Sequence, residues 1–524
     1  MSATTISIEA FRNLYAGKDE FAVIDPREEL FFARGHLFGA TNMPLSRMEL
    51  VFAAGVPNKS TLVVLCDDGE GHAEQASERL TEMGYDSVSI VDGGLPAWAL
   101  TGGAVFSGVN VPSKAFGEVV ERDLKTPTLS APDLKEKLDR NEEILLLDAR
   151  PLEEHEQYCI PGSVSCPSAE MILRAAELQE YRNKSIVVHC AGRTRSIIGA
   201  QTLIDSGLFK SVRSLCNGTP GWEFEGMTTE KGNLREAARP ELASDMAVLA
   251  AEAIRAKWEI PVLDAQALAI WRAKGDTRYL FDIRDAAEFA AGHVKGARHI
   301  AGGQLLQTTD RYVVVQNANI VLIDDDGVRA TTTAMWLRRM GWHKVSTYQM
   351  LPDTDLLETG VPKTAHLSSA EHVSVGGTYL ALQSAKAYIC DIRRSYEYRR
   401  GHIPQSAYLT RAELENDLIK LREQRPLILV SDDDAYAALM LNDLISLGRS
   451  AKVLQGGITA WRAAGHPIET GNGWLLSRPI DTYFESDHYD DFQVHLREHH
   501  AYLNWEIALI DHIVGDPAVR YEIR

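Results

Sequence analysis

The feature that most constrains this chain is that it repeats itself. An apolar run closing on Asp-x-Arg occurs four times, as AVIDPR, LLLDAR, YLFDIR and YICDIR, with its aspartate at Asp25, Asp148, Asp282 and Asp391. The intervals of 123, 134 and 109 residues are each the size of a domain. Three copies run on to Gly-His and an apolar residue, in ARGHLFGATNMP from Ala33, AAGHVKGARHI from Ala290 and RRGHIPQSAYL from Arg399. The second copy has Tyr158-Cys159 there instead, in YCIPGSVSCP.

About forty residues after each aspartate comes a second apolar run, TLVVL, SIVVH, NIVLI or PLILV, which reads as a strand buried on both faces. A helical pattern closing on Gly follows each. A third short strand then leads into a Gly-rich turn with a Trp in VSIVDGGLPAW, VRSLCNGTPGW and AKVLQGGITAW, whereas the third copy reads VSTYQMLPDTDLL. Strands alternating with helices at this spacing predict an α/β chain of four tandem domains, each a mostly parallel sheet flanked by helices. The expected bounds are 1–112, 118–236, 258–366 and 367–473, with a connecting helix over Glu241–Trp258. A C-terminal helical tail, 474–524, has no counterpart in the repeats and is expected to pack across a domain surface.

Composition removes several functions. With 54 Lys+Arg against 73 Asp+Glu, the net charge of −19 argues against a general nucleic-acid binder. Six cysteines are too few for a disulfide scaffold and lack zinc-ligand spacing, so a reducing compartment is expected. The start MSATTISIEAF does not read as a signal peptide, and no apolar run reaches membrane-spanning length. A cytoplasmic protein without membrane contact, metal or cofactor is the expectation.

In such folds chemistry sits where a strand ends and the next helix begins. The four loops at that place read CDDGEG (from Cys66), CAGRTR (from Cys190), DDDGVR (from Asp324) and SDDDAY (from Ser431). Only the second joins a thiol to nearby positive charge. A loop entering a helix N-terminus turns backbone N–H groups toward one point, where the helix dipole also favours an anion. Cys190 is therefore expected to be a thiolate. Arg193 and Arg195 are expected to stabilise it and to dock an anionic substrate. Beside Cys66, the carboxylates of Asp67, Asp68 and Glu70 oppose ionisation. In the acidic loops, Asp324 to Asp326 and Ser431 to Asp434 are expected to cap their own helices. The Asp-x-Arg motifs read as structural fixtures of the following loop.

The Asp-x-Arg, the Gly-His-Ile-Pro-like segment, the six-residue Cys loop and the Gly-Gly-x-x-x-Trp closure together resemble the rhodanese sulfurtransferases over residues 1–473. That resemblance implies four rhodanese-like domains and a persulfide carried on Cys190. The loop amides of Ala191, Gly192, Arg193, Thr194 and Arg195 would cradle the sulfur. The implied partners are a small anionic donor such as thiosulfate and a thiol or cyanide acceptor, the thiol being small or on a thioredoxin-like protein. Cys190 followed by arginines also resembles the cysteine phosphatases and arsenate reductases, but their signature has five residues between Cys and Arg, and here there are four. The remaining alternative is a non-catalytic sulfur carrier or scaffold, which three degenerate loops favour for most of the chain. Cys159 and Cys166 flank Pro161-Gly162 and read as buried thiols or as resolving partners of the persulfide. In the tail, His495 and His499 with Asp491 could form a metal face but read better as a solvated helix surface.

Overall fold

The computed structural model describes residues 4–523 apart from 177, 352–356, 361–371 and 484–491. Asp491 and the PDTDL segment of the third repeat thus lie outside the described residues.

Each repeat is a parallel sheet whose central strands are almost wholly buried, because helices cover both faces. In the second repeat the strands lie in the order Thr128–Leu129, Ser211–Leu215, Ser185–His189, Ile144–Asp148 and Val164–Ser165. The other three keep the same middle: the strand ending in Asp-x-Arg pairs with the strand that enters the loop. Every repeat thereby brings its loop to the carboxyl edge of its sheet. The third repeat also lends Val315–Gln316 to the first, antiparallel to Phe21–Asp25.

The Asp-x-Arg motif is a staple. In all four copies the aspartate accepts from the arginine's backbone N–H and from its Nε. The same guanidinium donates to the carbonyl eight residues on: Gly35 at 2.6 Å, Tyr158 at 2.6 Å, Gly292 at 2.7 Å and Gly401 at 2.8 Å. One buried pair thus fixes where the next turn of chain ends. At the far end of three repeats the Trp indole donates to the carbonyl six residues later, from Trp98 to Ala104, Trp222 to Thr228 and Trp461 to Pro467.

The elements between repeats differ in places from the expected bounds. A helix runs Val111–Leu124, straight through the boundary placed at 112–118. The connecting helix spans Asp245–Lys257. Trp474–Leu475, taken as the start of the tail, pairs in parallel with Ala407–Tyr408 and becomes an edge strand of the fourth repeat. The tail proper is the helix Phe492–His512. Its Leu509, and Ile513 just past its end, join Phe38, Phe106, Val111, Ala115 and Val119 in one buried cluster across the junction of the first two repeats. Among the described residues no helix is long and apolar enough to cross a membrane.

Candidate active site

Cys190 directly follows the central strand Ser185–His189, in the loop that leads to the helix Thr194–Ser206. The backbone N–H of Gly192 points back at its sulfur, 3.4 Å away. The closing turn holds this loop from behind. Thr219 donates its N–H to the Cys190 carbonyl at 2.8 Å, and Gly218, at φ +53°, lies so close that a Cβ there would sit 2.2 Å from that oxygen. Only glycine meets both demands. Gly94 and Gly457 make the same approach to Asp67 and Ser431 in the first and fourth repeats. The Gly pair of the sequence motif is therefore a clasp on the loop.

The four loops differ in what fills them. Asp67 accepts from the N–H groups of Gly69 and Ala73. Asp324 accepts from Gly327 and Ala330, and Asp326 from Val328 and Arg329. Asp433 accepts from Ala435 and Tyr436, with Ser431 Oγ taking the N–H of Asp433. Each of these cradles holds an internal side-chain oxygen. The Cys190 loop has no carboxylate of its own, and its residues Cys190 to Arg195 line a cavity of about 60 Å³, room for roughly four water molecules. Cys66 differs further: burial, and then the charge of Asp25, push its thiol well up, away from the thiolate form. Larger cavities of about 360 and 720 Å³ lie elsewhere, and neither is lined by a thiol.

The two arginines are not free cations. Arg193 grips Glu118 of the linker helix through Nε at 2.6 Å and Nη2 at 2.8 Å, and also reaches Glu121 and Asn217. Arg195 makes a two-pronged contact with Glu154 at 2.8 Å for each prong. Their charge, expected to meet substrate, is largely spent on these carboxylates, because two buried guanidinium groups need counter-charges.

Five residues of the cavity wall come from outside the second repeat: Lys114 of the linker helix, Gln307 of the third repeat, and His499, Tyr502 and Glu506 of the tail helix. Gly117 lets the linker helix approach Thr194 so closely that a Cβ would meet its Cα at 3.0 Å. Thr194 Oγ1 donates to Glu506 Oε1 at 2.6 Å, and Lys114 bonds the Tyr502 hydroxyl. Comparing equivalent positions of the repeats could not reveal these groups, since the linker and tail helices have no counterpart in the repeat and Gln307 comes from another copy; the one hint was an unrepeated, aromatic-rich helix. The tail histidines are likewise not a solvated face. His499 is 1% exposed, and His495 Nε2 stands 3.5 Å from Glu223 of the second repeat.

A further cluster lies behind the loop. In the other repeats an aromatic ring stacks on the Gly-His imidazole four residues on, Phe32 on His36, Phe289 on His293 and Tyr398 on His402, with centroids 3.7–3.9 Å apart. The second repeat has His155 and Cys159 at these positions. His155 Nδ1 is 3.0 Å from Asp148 Oδ2, and Asn233 donates to Cys159 Sγ at 3.3 Å. Burial opposes charge on His155, but the bonds to Asp148 and Cys159 outweigh it and raise the imidazole to about 9. Cys159 is lowered by its hydrogen bonds from His155, Asn233 and Ser163 against the opposing effect of burial. Cys166 is a core thiol that burial pushes up to about 12. Neither thiol lines the Cys190 cavity.

The Rhodanese-like domain family model matches residues 7–101, 130–225, 264–350 and 377–464. A solved structure of thiosulfate sulfurtransferase from Pseudomonas aeruginosa is similar over 99% of both chains, at 36% identity and TM-score 0.92. Thiosulfate sulfurtransferase GlpE of Pseudoalteromonas translucida (strain TAC 125) is 30% identical over 95 residues, 18% of this chain and 90% of its own. YrkF of Bacillus subtilis (strain 168) is 32% identical over 160 residues, 28% of this chain and 82% of its own. The chain therefore belongs to the rhodanese family, as a sulfurtransferase built of four rhodanese-like domains.

Proposed function

We propose that this enzyme moves a sulfane sulfur from a small anionic donor, thiosulfate or a chemical equivalent, to a thiol or cyanide through a persulfide on Cys190. The Cys190 sulfur, as thiolate, attacks the outer sulfur of the donor. The donor's S–S bond breaks, and sulfite leaves with the electron pair. The amides of Ala191 to Arg195 then face the persulfide, a small anion suited to a helix N-terminus. In the second step the acceptor takes the outer sulfur and Cys190 is regenerated. A small thiol or a thioredoxin-like protein serves as acceptor, in a reducing, cytoplasmic setting. The observation that carries this reading is that one loop of four pairs a cysteine with amides that no carboxylate of the loop itself caps. Cys190→Ser is expected to abolish sulfur transfer in a steady-state assay, while Cys66→Ser keeps most of it. Loss of turnover in a folded Cys66→Ser chain would refute the assignment.

A further inference from the structure

The tail helix brings a carboxylate into a site expected to bind anions, and the two oxygens of that carboxylate are treated differently. Glu506 is 1% exposed. Its Oε1 accepts from Thr194, which anchors it to the loop. Its Oε2 is buried and has no hydrogen-bond partner. That oxygen looks at Gly192, the residue whose N–H meets the Cys190 sulfur; a Cβ on Gly192 would lie 3.7 Å from it. An unpaired buried acceptor is costly, so a donor arriving in the cavity should fill it. Lys114, Glu118, Cys190, Arg193, Arg195, His499 and Tyr502 are the other charged or titratable groups described around Glu506. Arg193 is held by Glu118 and Glu121, and Lys114 by Tyr502, so neither neutralises Oε2 directly.

We infer that Glu506 is a catalytic residue of the second half-reaction, accepting the proton of the incoming thiol at Oε2. The inference rests on the Cys190 persulfide reading. The thiol proton passes to Glu506. The resulting thiolate bonds to the outer sulfur of the persulfide, the S–S bond to Cys190 breaks, and the electron pair returns to Cys190. The acceptor leaves as its own persulfide, and Glu506 gives the proton to solvent. No electrons are gained or lost overall. A thiol of ordinary pKa is only about 3% ionised at pH 7, so such a base can gain up to roughly thirtyfold. The same charge repels a dianion. Glu506 therefore favours thiols over oxyanions in the step that discharges the persulfide.

The test separates the half-reactions in the full-length chain. Persulfide is loaded with thiosulfate or inorganic polysulfide, and its discharge is followed with 2-mercaptoethanol and, separately, with sulfite, which needs no deprotonation. Glu506→Gln keeps the shape and the bond from Thr194. It is expected to slow discharge to the thiol about ten- to thirtyfold at pH 7, with the gap closing as pH rises past the thiol's own pKa. Discharge to sulfite should be unchanged or faster. Unchanged thiol discharge, or equal losses with thiol and sulfite, would overturn the role of Glu506. If the wild-type chain carries no sulfur on Cys190 after loading, the persulfide reading itself fails, and this inference with it.

Discussion

At the scale of single residues, the least expected finding is what Arg193 does. The sequence presents it as a cation beside a thiol, and that much is legible because the other three loops lack the combination. Its commitment to Glu118 is not legible, since Glu118 lies 75 residues upstream in a helix outside the repeat pattern. The pair is well buried, with side-chain exposures of 10% and 5%. Removing one member of such a pair leaves the other charged and desolvated. Arg193→Ala should therefore lower the stability of the chain by about 3 kcal/mol, read as a lower denaturation midpoint. Replacing Glu118 by Gln in the same chain should recover much of that. Normal stability with altered donor kinetics alone would instead make Arg193 a substrate ligand. Tyr158-Cys159 in place of Gly-His is visible when the repeats are compared, but the bond of His155 to Asp148 needed the fold to bring the pieces together.

At the scale of elements, the strand–loop–helix units follow directly from sequence, because buried parallel strands and capped helices leave strong apolar and Gly signatures. The Gly-rich closure was legible as a turn but not as a contact. Its role depends on a carbonyl brought beside it by the sheet. Gly218→Ala places a Cβ against the Cys190 and Gly192 carbonyls, at 2.2 and 2.6 Å, so loop or turn must move. The expected result is at least a tenfold loss of sulfur transfer with near-normal helix and strand content by circular dichroism. Gly457→Ala makes the equivalent clash at 2.4 Å from the Ser431 carbonyl in the fourth repeat. It should cost stability while leaving the rate per folded molecule near normal. Equal rate losses from both would show that the clasp acts on the fold as a whole rather than on the Cys190 loop.

At the scale of the whole molecule, the repeats are not beads on a string. One buried cluster joins residues of the first three, including Phe52, Phe116, Ile197 and Trp336, and the Trp336 indole donates to Thr202 across the second and third. The fourth has its own cores and meets the first through ion pairs of Arg411 with Glu49. Apolar patterning announces that a helix face is buried, not which repeat buries it, so this assembly and the tail's place over the site could not be read beforehand. The third repeat, through Gln307, and the tail, expected only to pack across a domain surface, both contribute cavity wall around the Cys190 thiol. Six cysteines in one chain give that claim a direct test. After incubation of the full chain with a sulfur donor, mass spectrometry of its peptides under non-reducing conditions should find one added sulfur atom on Cys190 and none on Cys66, Cys159, Cys166, Cys216 or Cys390. Sulfur carried chiefly on another cysteine, with Cys190 unmodified, would contradict the account.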